Sequence, residues 1–448
     1  MSFEPKLADV RFGCGLHPRI APPATADDVL ARLTGPDQAA QAYPIDRYAD
    51  FQQRVVLERQ LAQARNESRT AQRDMRDLQR EARLDERRWL AQTLLRRVVT
   101  TDGFRERLTA FWADHFTVVG KGGLLRFGAA PYVEDTIRPY VAGSFPEMLR
   151  AVARAPMMLL YLDQVRSVGP NSKGGRGRGV NENLAREMLE LHTLGTGGPY
   201  TQQDVRDFAL LLTGLSYHPD QGFVFRDNMA EPGPETVLGV SYGGDKASLD
   251  DIDAALQDLA LHPATALHLA HKLAVHFVGD DPQAELVVAM ANAYTAAKGD
   301  LVPMYAAMLD HPMAWDGQGN VKQPLDFIGS ALRVLDIRDL PLRQSDKLGL
   351  LLQQPLALMG QPWTRPEGPD GWPEADEDWI TPQRLAGRLQ WALNVPRVLT
   401  RTLPDPRDLL PAALARPAPE ALSFAARAAQ TRAEGVALIL SSPAFQRM

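Results

Sequence analysis

Residues 45–99 contain neither glycine nor proline, and Pro44 stands immediately before them. Nothing in that run interrupts a helix, and its Arg, Glu, Gln, Ala and Leu are strong helix formers. The chain must therefore accommodate one or two long polar helices. Within the run, RTAQRDMRDLQREARLDERRW has an arginine excess with acids interleaved throughout. That pattern describes a solvated face laced with ion pairs rather than a surface for nucleic acid or lipid. The net charge of −6 argues in the same direction, against a nucleic acid partner.

The rest of the chain repeats the helical theme. DGFRERLTAFWADHFTVV (102–119) places Phe104, Leu108, Phe111 and His115 on one stripe, widened by Trp112 and Phe116, and GKGG ends it. Helices are expected over 131–142 and 145–162, then over 249–260, 263–277, 282–297 and 301–309. Thr201 and Asp204 have capping-box spacing ahead of another helix. Between 215 and 243 the texture changes to short strands or an irregular excursion. The alternation that βαβ units require is absent, so the expected fold class is all-α, a multi-helix globular bundle with a minor β excursion near 215–243. With 448 residues, of which 45% are hydrophobic, the chain has ample material for a core. The expected organisation is a main helical domain over 1–330 carrying the polar site. A C-terminal helical segment over 331–448, with the Pro/Trp-rich connector GQPWTRPEGPDGWPEADEDWITP (360–382), packs on the first.

Cys14 is the one cysteine, which rules out an intramolecular disulfide and a cysteine-based metal site. No run of 18 apolar residues is present, so no membrane span is expected. The N-terminal MSFEPKLADVRFGCGLHP has no basic segment leading into an apolar one, so the expected compartment is the cytoplasm. No G-x-S-x-G nucleophile elbow occurs.

The densest cluster of chemistry lies in GVNENLAREMLELHTLG (179–195). At 100° per residue, Asn183, Arg186, Glu187 and Glu190 share one stripe, and His192 points to the apolar side. Asn183 is the expected N-cap and Gly195 the residue after the helix end. Glu190 and His192 lie roughly 200° apart on that wheel, so the run Glu187, Glu190, His192 cannot converge on one ion. The plain reading is a solvated Glu/Arg/Glu face with a core histidine. The sharper one brings His115 across a helix pair to Glu187 or Glu190. Asp163, an acid at a helix end, needs a cation, and Arg186 is the expected partner, with Glu190 the second choice for that arginine.

Other polar groups divide similarly. The glycine-rich loop 164–181 carries Arg166, Lys173, Arg176 and Arg178 without an acid, and reads as a mobile linker or an anion cradle. His268 and His271, with His262 and His276 nearby, have metal-compatible spacing on a helix that is more simply amphipathic. Trp363, Trp372 and Trp379 either staple the connector or offer platforms to sugar rings.

NENLAREMLELHTLG, followed by YTQQDV and LTGL, closely resembles the bacterial family catalogued as domain of unknown function 1800. RFGCGLHP, RERLTAFWADHFTV, MLLYLDQVRSVGPNS, PGPETVLG, HPATALHLAHKLAVHFVGDDP, GQPWTRPEGPDGWP and the final SPAFQRM resemble family segments in the same order. The resemblance implies a helical protein. It also implies export in many members, and a neighbouring protein of sulfatase- or phosphatase-like appearance that would make this chain one half of a two-protein system. The family pattern has His-Asp before PGPETVLG, where this chain has Ala230 and Glu231.

The candidate site residues are therefore His115, Asp163, Asn181, Asn183, Arg186, Glu187, Glu190 and His192. Two functions fit them. One is acid–base or metal-assisted hydrolysis of an anionic carbohydrate or ester, with paired carboxylates held at different pKa values. The other is a non-catalytic partner or scaffold of the sulfatase/phosphatase-like protein, in which the same groups form a buried ionic network.

Overall fold

The glycine- and proline-free run forms two helices, Tyr48–Ala64 and Arg69–Val99. Ser68 starts the second by accepting the Ala71 amide at 3.2 Å. The pair runs antiparallel, with Arg54 bridging to Asp85 and Phe51 set edge-on to Trp89. The solvated face carries the expected ion pairs, Asp77 with Arg73 and Arg80. The last third of the long helix is different. Trp89, Leu90, Ala91, Leu94, Leu95 and Val98 are fully buried, and so are Arg96 and Arg97. Arg333 closes its C-terminus by donating to the carbonyls of Arg97, Val98 and Thr100. That interaction satisfies acceptors the helix leaves open and opposes its dipole.

This computed structural model describes residues 3–64, 66, 68–175 and 179–448. Helix accounts for 61% of the chain and two small two-stranded sheets for 5%, so the fold is all-α with a minor β excursion. The excursion is a pair of hairpins, Leu215–His218 with Gly222–Phe225 and Glu235–Val237 with Val240–Tyr242. Leu238 and Gly239 turn the second with positive φ at both positions, the backbone that a two-residue hairpin turn demands. Among the described residues no helix is long and apolar enough to cross a membrane.

Two expected helices are interrupted. The 145–162 segment divides into Phe145–Arg154 and Pro156–Tyr161, because Pro156 holds Ala155 extended. The 131–142 segment is Ala129–Tyr132 followed by π-helical Val133–Ile137 and a 3-10 turn over Arg138–Tyr140. The expected Thr201–Asp204 capping box is present.

Two hydrophobic clusters fill the interior. One draws on residues between Leu7 and Trp315. The other joins Leu90–Val98 to Phe327, Trp391, Ile439 and Phe445. The Arg69–Val99 helix thus serves both, and helix Pro324–Val334 packs along it.

Candidate active site

The residues of 163–192 do not converge. Asn183–Glu187 is α-helical, but Met188–Thr193 continues as a π-helix with a wider turn. Glu182, not Asn183, is the N-cap. Asn181 instead folds its side chain onto the Asn183 amide at 2.9 Å and reaches the carbonyls of Leu162 and Asp163. Arg186 pairs with Glu182 and Glu190, each at 3.1 Å, and with Gln202. The expected Arg186–Asp163 pair does not form, because both helix-spaced carboxylates are nearer to hand. Asp163 sits in a left-handed conformation (φ 57°) and takes Lys121 at 2.8 Å, with Arg166 at 3.8 Å.

The histidines are sealed rather than aimed at the glutamates. His115 donates from Nε2 to the His192 carbonyl (3.2 Å), and His268 does the same to the Leu191 carbonyl (3.0 Å). Those carbonyls belong to the last turn of the π-helix, which has no backbone donors left for them. A carbonyl only accepts, so the proton resides on Nε2 in both rings, and Nδ1 of His115 is buried without a partner. Burial, and then the positive charge of Lys272, hold the His115 imidazole well below its ordinary range and that of His192 down to about 3. These rings are neutral packing and capping groups. Gly195 closes the helix with φ +84°, and a Cβ there would lie 2.9 Å from His268 Nδ1.

The glycine loop is tied down over its described part. Gly169 and Gly174 donate to the carbonyls of Met229 and Asn228, and Glu231 accepts from the Asn171 backbone and side chain. Glu231 is thus a loop anchor. Arg176 and Arg178 lie outside the described residues.

A cavity of about 150 Å³ opens on the other side of helix Gly103–His115. Its wall combines Thr109, Asp114 and Tyr132 with His276, Trp363 and Trp372. Ionic groups around it are paired: Arg96 with Glu134 (2.6 Å), Arg138 with Asp37 and Glu106, and Arg97 with Asp326. Asp114 is the exception. Its oxygens receive the Trp372 amide at 2.9 and 3.2 Å and make no other hydrogen bond or ion pair among the described residues. Burial raises its carboxyl pKa well above the usual range, Glu374 and Asp370 push the same way, and Lys272 only partly opposes them.

Glu374 is held in the opposite state. His276 Nδ1 lies 3.1 and 3.0 Å from its two oxygens, and Arg107 contacts His276 Nε2 at 3.1 Å. Arginine has only N–H groups to give, so Nε2 accepts and Nδ1–H donates to Glu374. Burial would raise the Glu374 carboxyl, but His276, Lys272 and Arg107 outweigh it and hold its pKa below the usual range. Arg107 itself leans on Asp326 at 3.7 Å. One proposed residue borders this region. Glu187 is raised by burial, by Glu190 and by Asp370, the residue two before Trp372. Among the described residues no three His, Cys, Asp or Glu side chains gather in a way that could hold a metal ion.

The connector resolves its tryptophans unequally. Trp379 is fully buried and donates to the Pro373 carbonyl, a staple, whereas Trp363 and Trp372 face the cavity. Asp114, Glu374 and His276 were not singled out as site residues from the sequence. The signal for them was indirect: WADH and GWPEAD adjoin or fall within the family-like segments.

The chain belongs to the family described as Protein of unknown function (DUF1800), whose model matches residues 19–447. No curated protein and no solved structure matches it.

Proposed function

We propose that the protein is a hydrolase that works by proton transfer in the cavity beside helix Gly103–His115, on an anionic carbohydrate or a related ester. The observation that carries this reading is the pairing of Asp114 with Glu374. Asp114 lines the cavity with only a backbone amide for company, and Glu374 stands behind His276, which lines the same cavity and contacts both its oxygens while Arg107 holds the ring from the other side. Environments that push two carboxyls apart are how one site keeps an acid and a base at the same pH. Asp114, kept protonated, would give its proton to the leaving oxygen. Glu374, kept ionised, would take a proton from the attacking water. Trp363 and Trp372 offer the flat apolar surface a sugar ring stacks on. Lys272 makes no hydrogen bond or ion pair among the described residues and is near enough to act on both carboxyls, which favours an anionic substrate.

The test is hydrolysis of chromogenic uronides, sulfated glycosides and simple esters by the purified protein and by Asp114→Asn and Glu374→Gln. Each variant should lose roughly 10²- to 10⁴-fold in rate. Turnover that survives both changes, or a protein that neither turns over nor binds any of these compounds, refutes the reading.

A non-catalytic partner of a sulfatase/phosphatase-like protein is the second reading, and one observation favours it. Helix Pro382–Asn394 exposes Leu385, Leu389 and Leu393 at helical spacing, and Leu358 (63% exposed) and Val398 (62%) flank them in the neighbouring helices. Contiguous apolar surface of this kind marks contact sites. Co-elution with such a protein that Leu389→Glu abolishes would favour this reading over the first.

A further inference from the structure

A second cleft, of about 320 Å³, lies between the Pro5–Arg11 helix, the 317–322 segment and the chain around 413–419 and 443–448. Lys322 lines it with only 3% of its surface exposed. Its backbone is fixed from both sides: its amide donates to the Gln446 carbonyl at 2.8 Å, and its carbonyl accepts from Arg388 at 2.7 Å. Its Nζ rests 4.0 Å from the centre of the Phe445 ring and makes no hydrogen bond or ion pair among the described residues. A buried cation without a counter-charge is costly, so a lysine held there calls for a partner.

The side chains that line the cleft add positive charge and no acid. Arg11 is fully buried and spends its guanidinium on the carbonyls of Ala314, Asp316 and Gly317. Arg416 reaches the same Gly317 carbonyl at 3.5 Å, so two guanidinium groups crowd one acceptor. Neither has an ion-pair partner among the described residues. Arg447, also on the wall, is already taken by Asp376 at 2.6 Å. No acidic side chain lines the cleft. The nearest acids act from outside it, Glu4 and Asp316 on Arg11 and Asp326 on Lys322. Burial nonetheless brings the Lys322 ammonium down to about 7 and the Arg11 guanidinium to about 10.

We infer that this cleft binds a phosphate or sulfate group, free or as the ester of a small organic molecule, between Lys322, Arg11 and Arg416. Three cations from three separate segments suit an oxyanion that presents several oxygens and up to two charges better than they suit a single carboxylate. Lys322 supplies the point charge at the closed end, and Arg416 stands at the exposed rim.

Calorimetric titration with inorganic phosphate, sulfate and glycerol phosphate, at ionic strength matched with chloride, tests the site. Saturable binding is expected, with affinity reduced roughly tenfold or more in Lys322→Met and in Arg416→Ser. Equal affinity for inorganic phosphate and glycerol phosphate identifies a site for the free ion; clearly tighter binding of glycerol phosphate identifies an ester site. No saturable binding above the chloride control, or binding unchanged in the variants, overturns the inference. Should Lys322→Met fail to fold, Arg416→Ser decides alone, because that side chain is exposed and makes one long hydrogen bond.

Discussion

His276 and Glu374, 98 residues apart in sequence, meet through one imidazole nitrogen that contacts both oxygens of the carboxylate. On its far side the same ring accepts from Arg107. The ring, which lines the cavity, therefore passes the influence of a buried arginine to the Glu374 carboxylate without itself needing a charge. Glu374→Gln keeps the shape and removes the charge. Because the Glu374 pKa is lowered on folding, its contribution to stability is present above the ordinary glutamate range and disappears as pH falls through its folded value. The variant should melt below the wild type at pH 7, and the difference should shrink as pH falls through the folded Glu374 value. Equal melting temperatures at pH 7 would show that the His276 contact contributes nothing.

Asp114→Asn should behave in the reverse sense. A carboxyl raised by folding contributes fully below about pH 4 and progressively less as pH rises through its folded value. The variant carries no such loss, so its melting temperature should gain on the wild type between pH 4 and pH 8. A constant difference across that range would mean that Asp114 is an ordinary solvated acid.

His192 should report on acid unfolding. Its imidazole is depressed to about 3, so the stability linked to it is intact above about pH 6.5 and is lost at up to ~1.4 kcal/mol per pH unit as pH falls toward the folded value. His115 adds a second proton uptake of the same sign. The His192 ring makes no hydrogen bond among the described residues, so His192→Phe should fold and flatten this dependence. Urea midpoints at pH 4.5, 5.5 and 6.5 measure the slope, and an unchanged slope would contradict the burial described above.

Arg186→Ala should cost under about 1 kcal/mol, since its carboxylate pairs are part-exposed and helix-spaced. Thermal unfolding decides the point: a loss of several kcal/mol would reveal a buried network where this structure has a surface one.

Glu231→Ala should cost more, about 1–3 kcal/mol, because the carboxylate is buried and its loss strands the Asn171 amide. Amide exchange over residues 169–175 should quicken while the Gly103–His115 helix stays protected. Uniform exchange across both would show that Glu231 does not hold the loop.

Much of this architecture was legible one residue at a time. The glycine- and proline-free run, the Thr201–Asp204 box and the interrupted texture after Leu215 each specify a local shape, and each took it. The site was not legible in that way. Asp114 sits 100° from its neighbour on a helical wheel and reads as the wet edge of an aromatic helix. What covers it is the Trp372 amide, 258 residues later, and no local pattern announces so distant a neighbour. The histidine beside it drew attention because imidazoles are chemically conspicuous, yet it caps a helix. A spacing of 100° per residue also fails beyond Glu187, because Met188–Thr193 is a π-helical turn.

The connector that carries Trp372 and Glu374 has a consequence for biosynthesis. It is the last part of the cavity to leave the ribosome, long after helix Gly103–His115 has been made. Until it docks, Asp114 has neither the Trp372 amide that covers it nor the burial that, with the Glu374 charge, raises its carboxyl pKa. A single proteolytic cut near the exposed Glu367 would free the end of the connector that brings the Trp372 amide to Asp114.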